Sequence, residues 1–283
     1  PLGRWRRLPE SEVNMLKKIG TGKKTIRVSF QLITKSRMVT PMKIVAKTDK
    51  GLVRESNQDA YAVGELPGEV AWAVVCDGMG GAAGGNIASA LAVKVISDKI
   101  TASYNEKMRS ASIKNLLDSA ITAANIEVYD MAYSRNDLNG MGTTVVAVIV
   151  RDAVAYIAHA GDSRAYTVKD YDVEQVTVDH SLVQNLVDRG EITKEQAEHH
   201  PNKNVITRAV GVDKRIDIDY SEVELDNNET LILCTDGLSN YVTNDEMVED
   251  IKDGQYYAFA DRLVKRANKN GGGDNITVVA ITN

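Results

Sequence analysis

Val74-Val75-Cys76-Asp77-Gly78-Met79-Gly80-Gly81 (VVCDGMGG, residues 74–81) is the stretch from which the rest of the chain can be read. The apolar run reaches back through Ala71, Trp72 and Ala73. A run without polar alternation is the pattern of a strand covered on both faces. It stops at a carboxylate and then at glycines. Burying an unpaired carboxylate costs several kcal/mol or forces it to take up a proton, so Asp77 needs a cation, a set of donors or a metal. By itself, Asp77-Gly78 is also an ordinary turn at a strand end.

The same pattern recurs elsewhere. LILCTDGLSN (231–240) carries an apolar run to Thr235 and then Asp236-Gly237. GGGDNITVVA (271–280) mirrors it, with Asp274 just ahead of an apolar strand. YIAHAGDSRAY (156–166) sets Asp162 behind one strand, and TDKGLVRESNQDAY (48–61) sets Asp59 ahead of another. Each aspartate alone reads as a turn residue. Several carboxylates crowded at the ends of adjacent buried strands would repel one another and rise in pKa, and divalent cations remove that conflict. Oxygen donors without a His-rich cluster or paired cysteines point to a hard ion, Mg2+ or Mn2+, rather than zinc. Glycine after the aspartate lets a carbonyl such as that of Gly78 approach a metal.

The chain has 283 residues, 43% hydrophobic and 26% charged, enough for one sizeable domain or two small ones. No apolar stretch approaches the roughly 18 residues that suggest a membrane span. Cys76 and Cys234 sit inside apolar runs and suggest neither a disulfide nor zinc, which makes a reducing cytoplasm the expected setting. Residues 1–41 hold ten Lys or Arg against Glu10 and Glu12, a charge of +8, leaving −13 for residues 42–283. The asymmetry marks a boundary. Residues 1–41 are expected to lie outside the functional domain as a tag-derived, upstream or regulatory extension, since Pro1-Leu2-Gly3 resembles the remnant of a cleaved tag. The rival reading is a basic arm for nucleic acid or anionic lipid.

From Met42 the pattern predicts strands at KIVAKT, QDAYAVGE and VAWAVVC, then a helix presenting Ile87, Leu91 and Val95 on one face. A longer helix follows, with Ile113, Leu116, Leu117, Ala120, Ala124, Val128 and Met131 at helical spacing. TTVVAVIV, AVAYIAHA, SRAYTVK and DVEQVTV read as antiparallel hairpins. Helical pieces are expected at 181–189 and 193–199, strands at RIDIDYSEVEL and ETLILCT, helices at NDEMVEDIK and QYYAFADRLVKRAN, and a closing strand at NITVVAIT. Strand blocks alternating with helix pairs suggest an α+β fold of two stacked antiparallel sheets with helices outside.

Eight motifs in order (TDKGLVRESNQD, VCDGMGG, GMGTT, HAGDSRAY, VDHS, ITKEQAEHHPNKNVITRAVG, CTDGLSN and GGDNITVV) resemble the metal-dependent Ser/Thr protein phosphatases of type 2C, the PPM family, in its compact bacterial form. The resemblance implies a four-layer α-β-β-α sandwich over 42–283, with a flap at about 181–213 and metals in a cleft at one end. It implies that Asp77 bridges two ions, that Asp236 and Asp274 complete the first, and that the Gly78 carbonyl serves the second. Asp59 would act in the outer shell through water, Asp162 with Asp236 would hold a third, weaker ion, and Arg54 would bind substrate phosphate. A planar guanidinium suits that task because it can contact two phosphate oxygens.

The implied reaction is hydrolysis of phosphoserine and phosphothreonine in proteins by a hydroxide bridging two Mn2+ or Mg2+ ions, with no covalent phosphoenzyme. Cys76 and Cys234 are then small buried hydrophobes. Met79 stands where some animal relatives have a proposed acid histidine, so the proton donor to the leaving group is unassigned. Ala82 and Asn86 replace polar residues common in bacterial relatives. His159 reads as a packed histidine, His180 as a turn-fixing or cleft residue, and His199 and His200 as flap surface. The expected partners are phosphorylated proteins and an opposing bacterial Ser/Thr kinase, with no nucleic acid, no membrane and a monomeric chain. The charge of −13 over residues 42–283 argues against phosphate-backbone binding. Two other functions remain open at this point: a catalytically inactive phosphoprotein-binding scaffold, and a two-metal phosphoesterase for small molecules.

Overall fold

Strand parity builds the architecture. In β3 (Val70–Met79), Ala71, Ala73 and Val75 face one way, while Trp72, Val74 and Cys76 face the other. Both sets are buried, which is why the run shows no polar alternation. The first set meets β10 (Thr230–Cys234) and β11 (Ile276–Thr282) through Leu231, Leu233, Val279 and Ile281, forming the layer between two sheets. The second set meets the helices α1 (Gly81–Ser103) and α2 (Ser110–Ser134). On the far side, Ile232, Cys234, Ile276, Val278 and Ala280 meet α6 (Asn244–Lys252) and α7 (Phe259–Lys269). Four layers follow, in the order α-β-β-α.

The computed structural model describes residues 42–283 except Tyr171, Asp253, Gly254 and Asn283; the basic segment 1–41 and the boundary reading attached to it lie outside the described residues. One sheet runs β1-β11-β10-β7-β8, with β1 at Lys43–Asp49, β7 at Arg164–Lys169 and β8 at Asp172–Gln175. The other runs β2-β3-β5-β6-β9, with β2 at Asp59–Leu66, β5 at Val145–Arg151, β6 at Val154–Ala160 and β9 at Asp219–Glu224. Two-residue β4 (Gly142–Thr143) pairs the end of β3. Every pairing between named strands is antiparallel. A parallel sheet was therefore not needed to bury both strand faces; stacking two antiparallel sheets inside two helical layers does the same.

Three local expectations shift. The buried stripe of α1 is Ala88, Ala92, Val93, Ile96 and Ile100, whereas Ile87, Leu91 and Val95 lie at its half-buried margin. Small alanines let the helix sit close to the sheet, so they occupy the centre and the larger residues flank it. β6 and β7 are not a hairpin: Gly161-Asp162-Ser163 carries the chain from one sheet to the other. The strand expected from Arg215 is shorter, beginning at Asp219. The segment expected as a flap, 181–213, contains α3 (Leu182–Asp188) and α4 (Lys194–Glu198), the latter opened by a Thr193/Gln196 capping box. Among the described residues no helix is long and apolar enough to cross a membrane.

Candidate metal centre

Alternating strand direction gathers the acidic residues. Asp77 lies near the end of β3 and Asp59 starts its antiparallel neighbour β2, directly opposite in register. Asp274 precedes β11, and Asp236 follows β10 as the first residue of α5 (Asp236–Ser239). Asp162 follows β6 at the crossing between sheets. All five therefore arrive at one end of the layer between the sheets. Asp77, Asp162, Asp236 and Asp274, with Arg54 and Gly78, line one cleft of about 760 Å³. Asp59 sits behind them, its Oδ2 accepting hydrogen bonds from the Thr235 hydroxyl at 2.9 Å and the Thr277 hydroxyl at 2.7 Å. Thr277 belongs to the other sheet, so this contact spans the sandwich.

Crowding and burial leave these groups short of positive charge. Burial, with further repulsion from Asp236 and Asp274 and despite the two threonine hydrogen bonds, pushes Asp59 up to about 7. Burial and then Asp236 push Asp162 up to about 7. Asp77 is raised well above the carboxylate range by burial and by Asp59 opposite it, and Asp236 is raised by burial and by Asp274. Asp59 Oδ1 and Asp236 Oδ1 are buried without a hydrogen-bond partner. A carboxylate-rich site with orphaned oxygens fits hard divalent cations. Among the described residues, however, no three His, Cys, Asp or Glu are drawn into a ready ligand cage. The acids line the cleft.

The backbone at Asp77 is held from three directions. Its N–H donates to the Thr144 hydroxyl at 2.9 Å, and its carbonyl accepts from Thr144 N–H at 2.9 Å and the Thr143 hydroxyl at 2.7 Å. Gly78 packs so tightly that a side chain there would collide with the Gly85 carbonyl. Thr144 also bonds Ser163, next to Asp162, hydroxyl to hydroxyl at 2.6 Å. Thr143 exchanges backbone hydrogen bonds with Val210 at the end of the flap. From the flap, Asn204 and Ile206 line the cleft. The sequence reading gave no role to Thr143, Thr144, Asn204 or Ile206. All four lie inside family motifs, the threonines in GMGTT and the other two in ITKEQAEHHPNKNVITRAVG, which marked the stretches but not the individual residues.

Arg54 stands on the loop between β1 and β2, and its Nη2 donates to Asp274 Oδ2 at 2.7 Å. That bond, reinforced by the charge of Asp274, raises the guanidinium pKa. Met79 lines the cleft and carries no proton to give. His159 is buried and stacks on His180 with ring centroids 4.6 Å apart. Gly161 N–H donates to His180 Nδ1 at 3.0 Å, while Nε2 lies 3.0 Å from Arg208 Nη1 and 3.3 Å from Asp219 Oδ2. Burial lowers both imidazole pKa values. The pair thus fixes the turn that carries Asp162. His199 is exposed, and His200 accepts from Asn202 N–H at 3.1 Å within the flap. Burial pushes the Cys76 thiol up strongly and that of Cys234 up to about 12, which removes both as nucleophiles at neutral pH.

A family model for protein phosphatase 2C matches residues 53–277. The serine/threonine phosphatase stp of Listeria monocytogenes is 40% identical over 238 residues, covering 83% of this chain and 93% of that protein. The S. agalactiae serine/threonine phosphatase superposes with a TM-score of 0.80 at 32% identity, covering 85% of this chain and 99% of its own. The catalytic domain of serine threonine protein phosphatase PstP, solved with two manganese ions, gives a TM-score of 0.74 at 32% identity and covers 85% of this chain and 97% of its own.

Proposed function

The chain belongs to the protein phosphatase 2C family, and on that premise we propose that it hydrolyses phosphoserine and phosphothreonine in proteins, with divalent cations held by Asp77, Asp236, Asp274 and the Gly78 carbonyl. Asp162, with Asp236, offers a third, weaker cation position, and Asp59 supports the centre from behind. The convergence of four cleft aspartates, a fifth behind them and one arginine carries this reading. The orphaned oxygens of Asp59 and Asp236 support the choice of a hard ion, Mn2+ or Mg2+. Bound there, a pair of such ions neutralises the phosphate dianion and lowers the pKa of water to near neutrality.

The remaining contributions come from the chain. Arg54, half exposed beside the carboxylates, presents two donors to the equatorial phosphate oxygens, where charge spreads as the transition state loosens. Thr235 and Thr277 direct their hydroxyls at Asp59 Oδ2 and so fix which of its oxygens is left unpartnered. Thr143 and Thr144 lock the backbone on either side of the Asp77 side chain. Met79 lines the cleft but supplies no proton to the leaving serine or threonine oxygen. The partners that fit are phosphorylated proteins and an opposing Ser/Thr kinase, met by a monomeric chain in the cytoplasm; the two buried free thiols suit a reducing setting.

The test is hydrolysis of a phosphothreonine peptide with Mn2+, with EDTA and with Asp236→Asn. Turnover should require the metal, and the substitution should lower kcat/KM by more than the ~10–100-fold typical of outer-shell changes. Metal-independent turnover, or an Asp236→Asn protein as active as the native one, would refute the reading.

A further inference from the structure

Arg54 sits on a loop that is mostly in solvent: residues 52–56 are exposed, with Leu52 at 70% and Val53 at 69%. A guanidinium on such a loop would wander, and each substrate encounter would have to order the loop again. One buried amide orders it in advance. Asn275, 4% exposed, accepts the Gln58 N–H on Oδ1 at 2.8 Å and donates from Nδ2 to the Lys50 carbonyl at 2.9 Å and the Ser56 carbonyl at 3.0 Å. Lys50 lies at one end of the loop, and Ser56 and Gln58 at the other, so a single side chain closes both ends. Leu52 N–H adds a bond to the Gly272 carbonyl at 2.7 Å. Gly51, at φ +80°, is tucked so close to the Asp274 carbonyl that any side chain there would collide with it. Both amide protons of Asn275 are committed, so it has no donor to offer a substrate.

We propose that Asn275 is the positioning residue for Arg54: it clasps the 50–58 loop and thereby holds the guanidinium at the phosphate position, next to the carboxylate of its own chain neighbour Asp274. The proposal rests on Arg54 being the phosphate-binding group. A buried asparagine that served stability alone would make the same hydrogen bonds, so the test must read its effect through Arg54.

The experiment is a double-mutant cycle on the full chain with Mn2+, measuring kcat and KM on a phosphothreonine peptide for the native protein, Arg54→Ala, Asn275→Ala and the double variant. Mn2+ affinity is measured by calorimetry for each. Asn275→Ala should lower kcat/KM by about 10-fold, mainly through KM. On the Arg54→Ala background the same change should cost less than about 2-fold, and Mn2+ affinity should move by less than about 3-fold. Equal losses on both backgrounds, no loss at all, or a fall in Mn2+ affinity that tracks kcat/KM would overturn the proposal. A silent Arg54→Ala would instead remove the reading of Arg54 itself, and the role of Asn275 with it. If Asn275→Ala does not fold, Asn275→Ser takes its place in the cycle with the same expectations.

Discussion

Asp59 shows how much of the site is built from residues that never reach the cleft. One of its oxygens accepts two threonine hydroxyls, the other has no partner, and Asp77 faces it across the strand pair. Thr277 is fully buried, so Thr277→Val keeps the shape of the side chain and removes the hydrogen bond to Asp59 together with the one shared with the Thr48 hydroxyl at 2.8 Å. The variant should lose about 1–3 kcal/mol in urea unfolding. A loss below about 0.5 kcal/mol would mean that this hydroxyl does not support Asp59. The sequence showed the aspartates because each interrupts an apolar run beside glycine. It could not show Thr144 or Asn275 in the same way: both act on backbone atoms far along the chain, at Asp77 and at Lys50, Ser56 and Gln58, and backbone partners leave no pattern of residue types.

At the scale of elements, the flap is held by its stem. Ser181 bridges Ile206, Leu182 N–H donates to the Val205 carbonyl, and Val210 pairs with Thr143. Beyond that ladder, Asn125 of α2 accepts Gly211 N–H at 2.7 Å and donates to the Asp213 carbonyl at 3.0 Å. Asn125→Ala should therefore speed hydrogen exchange of the Val210 and Gly211 amides by about 10-fold while the amides of β5 and β6 stay protected. Unchanged protection at both amides would show that the stem is held without α2. Helical spacing marked the buried face of α2 apart from half-buried Met131, but gave no sign that Asn125 belongs to it. Its partners lie 86 and 88 residues away, beyond the reach of any periodicity. The crossing from β6 to β7 was hidden for a related reason, since a three-residue polar link looks the same whether it closes a hairpin or joins two sheets.

Across the whole molecule, the two-sheet stack and the gathering of the carboxylates at one end follow from apolar runs with acids at their starts and ends, together with the family motifs, which also implied the α-β-β-α layering. The strand order within each sheet needed the coordinates, because strands apolar on both faces carry no mark of their neighbours. The same concentration of acid sets a pH signature. Asp59 and Asp162, raised to about 7, hold protons in the folded chain that the unfolded chain has lost above its ordinary value of 3.8. Stability from these groups must then fall as pH rises between those limits and stay low above about 7. His159 and His180, lowered mainly by burial, act in the opposite sense as pH drops below 6.5, so the signature is read as a difference between proteins. The most direct test of a carboxylate-built cation centre is the melting temperature of the native chain and of Asp77→Asn across this pH range, with and without saturating Mn2+. The account predicts that Mn2+ raises the native melting temperature by about 5 °C or more above neutral pH and by less near pH 5, and that Asp77→Asn is more stable without metal and gains little from it. A native melting temperature indifferent to Mn2+ at every pH, or an Asp77→Asn protein that responds as the native one does, would contradict it.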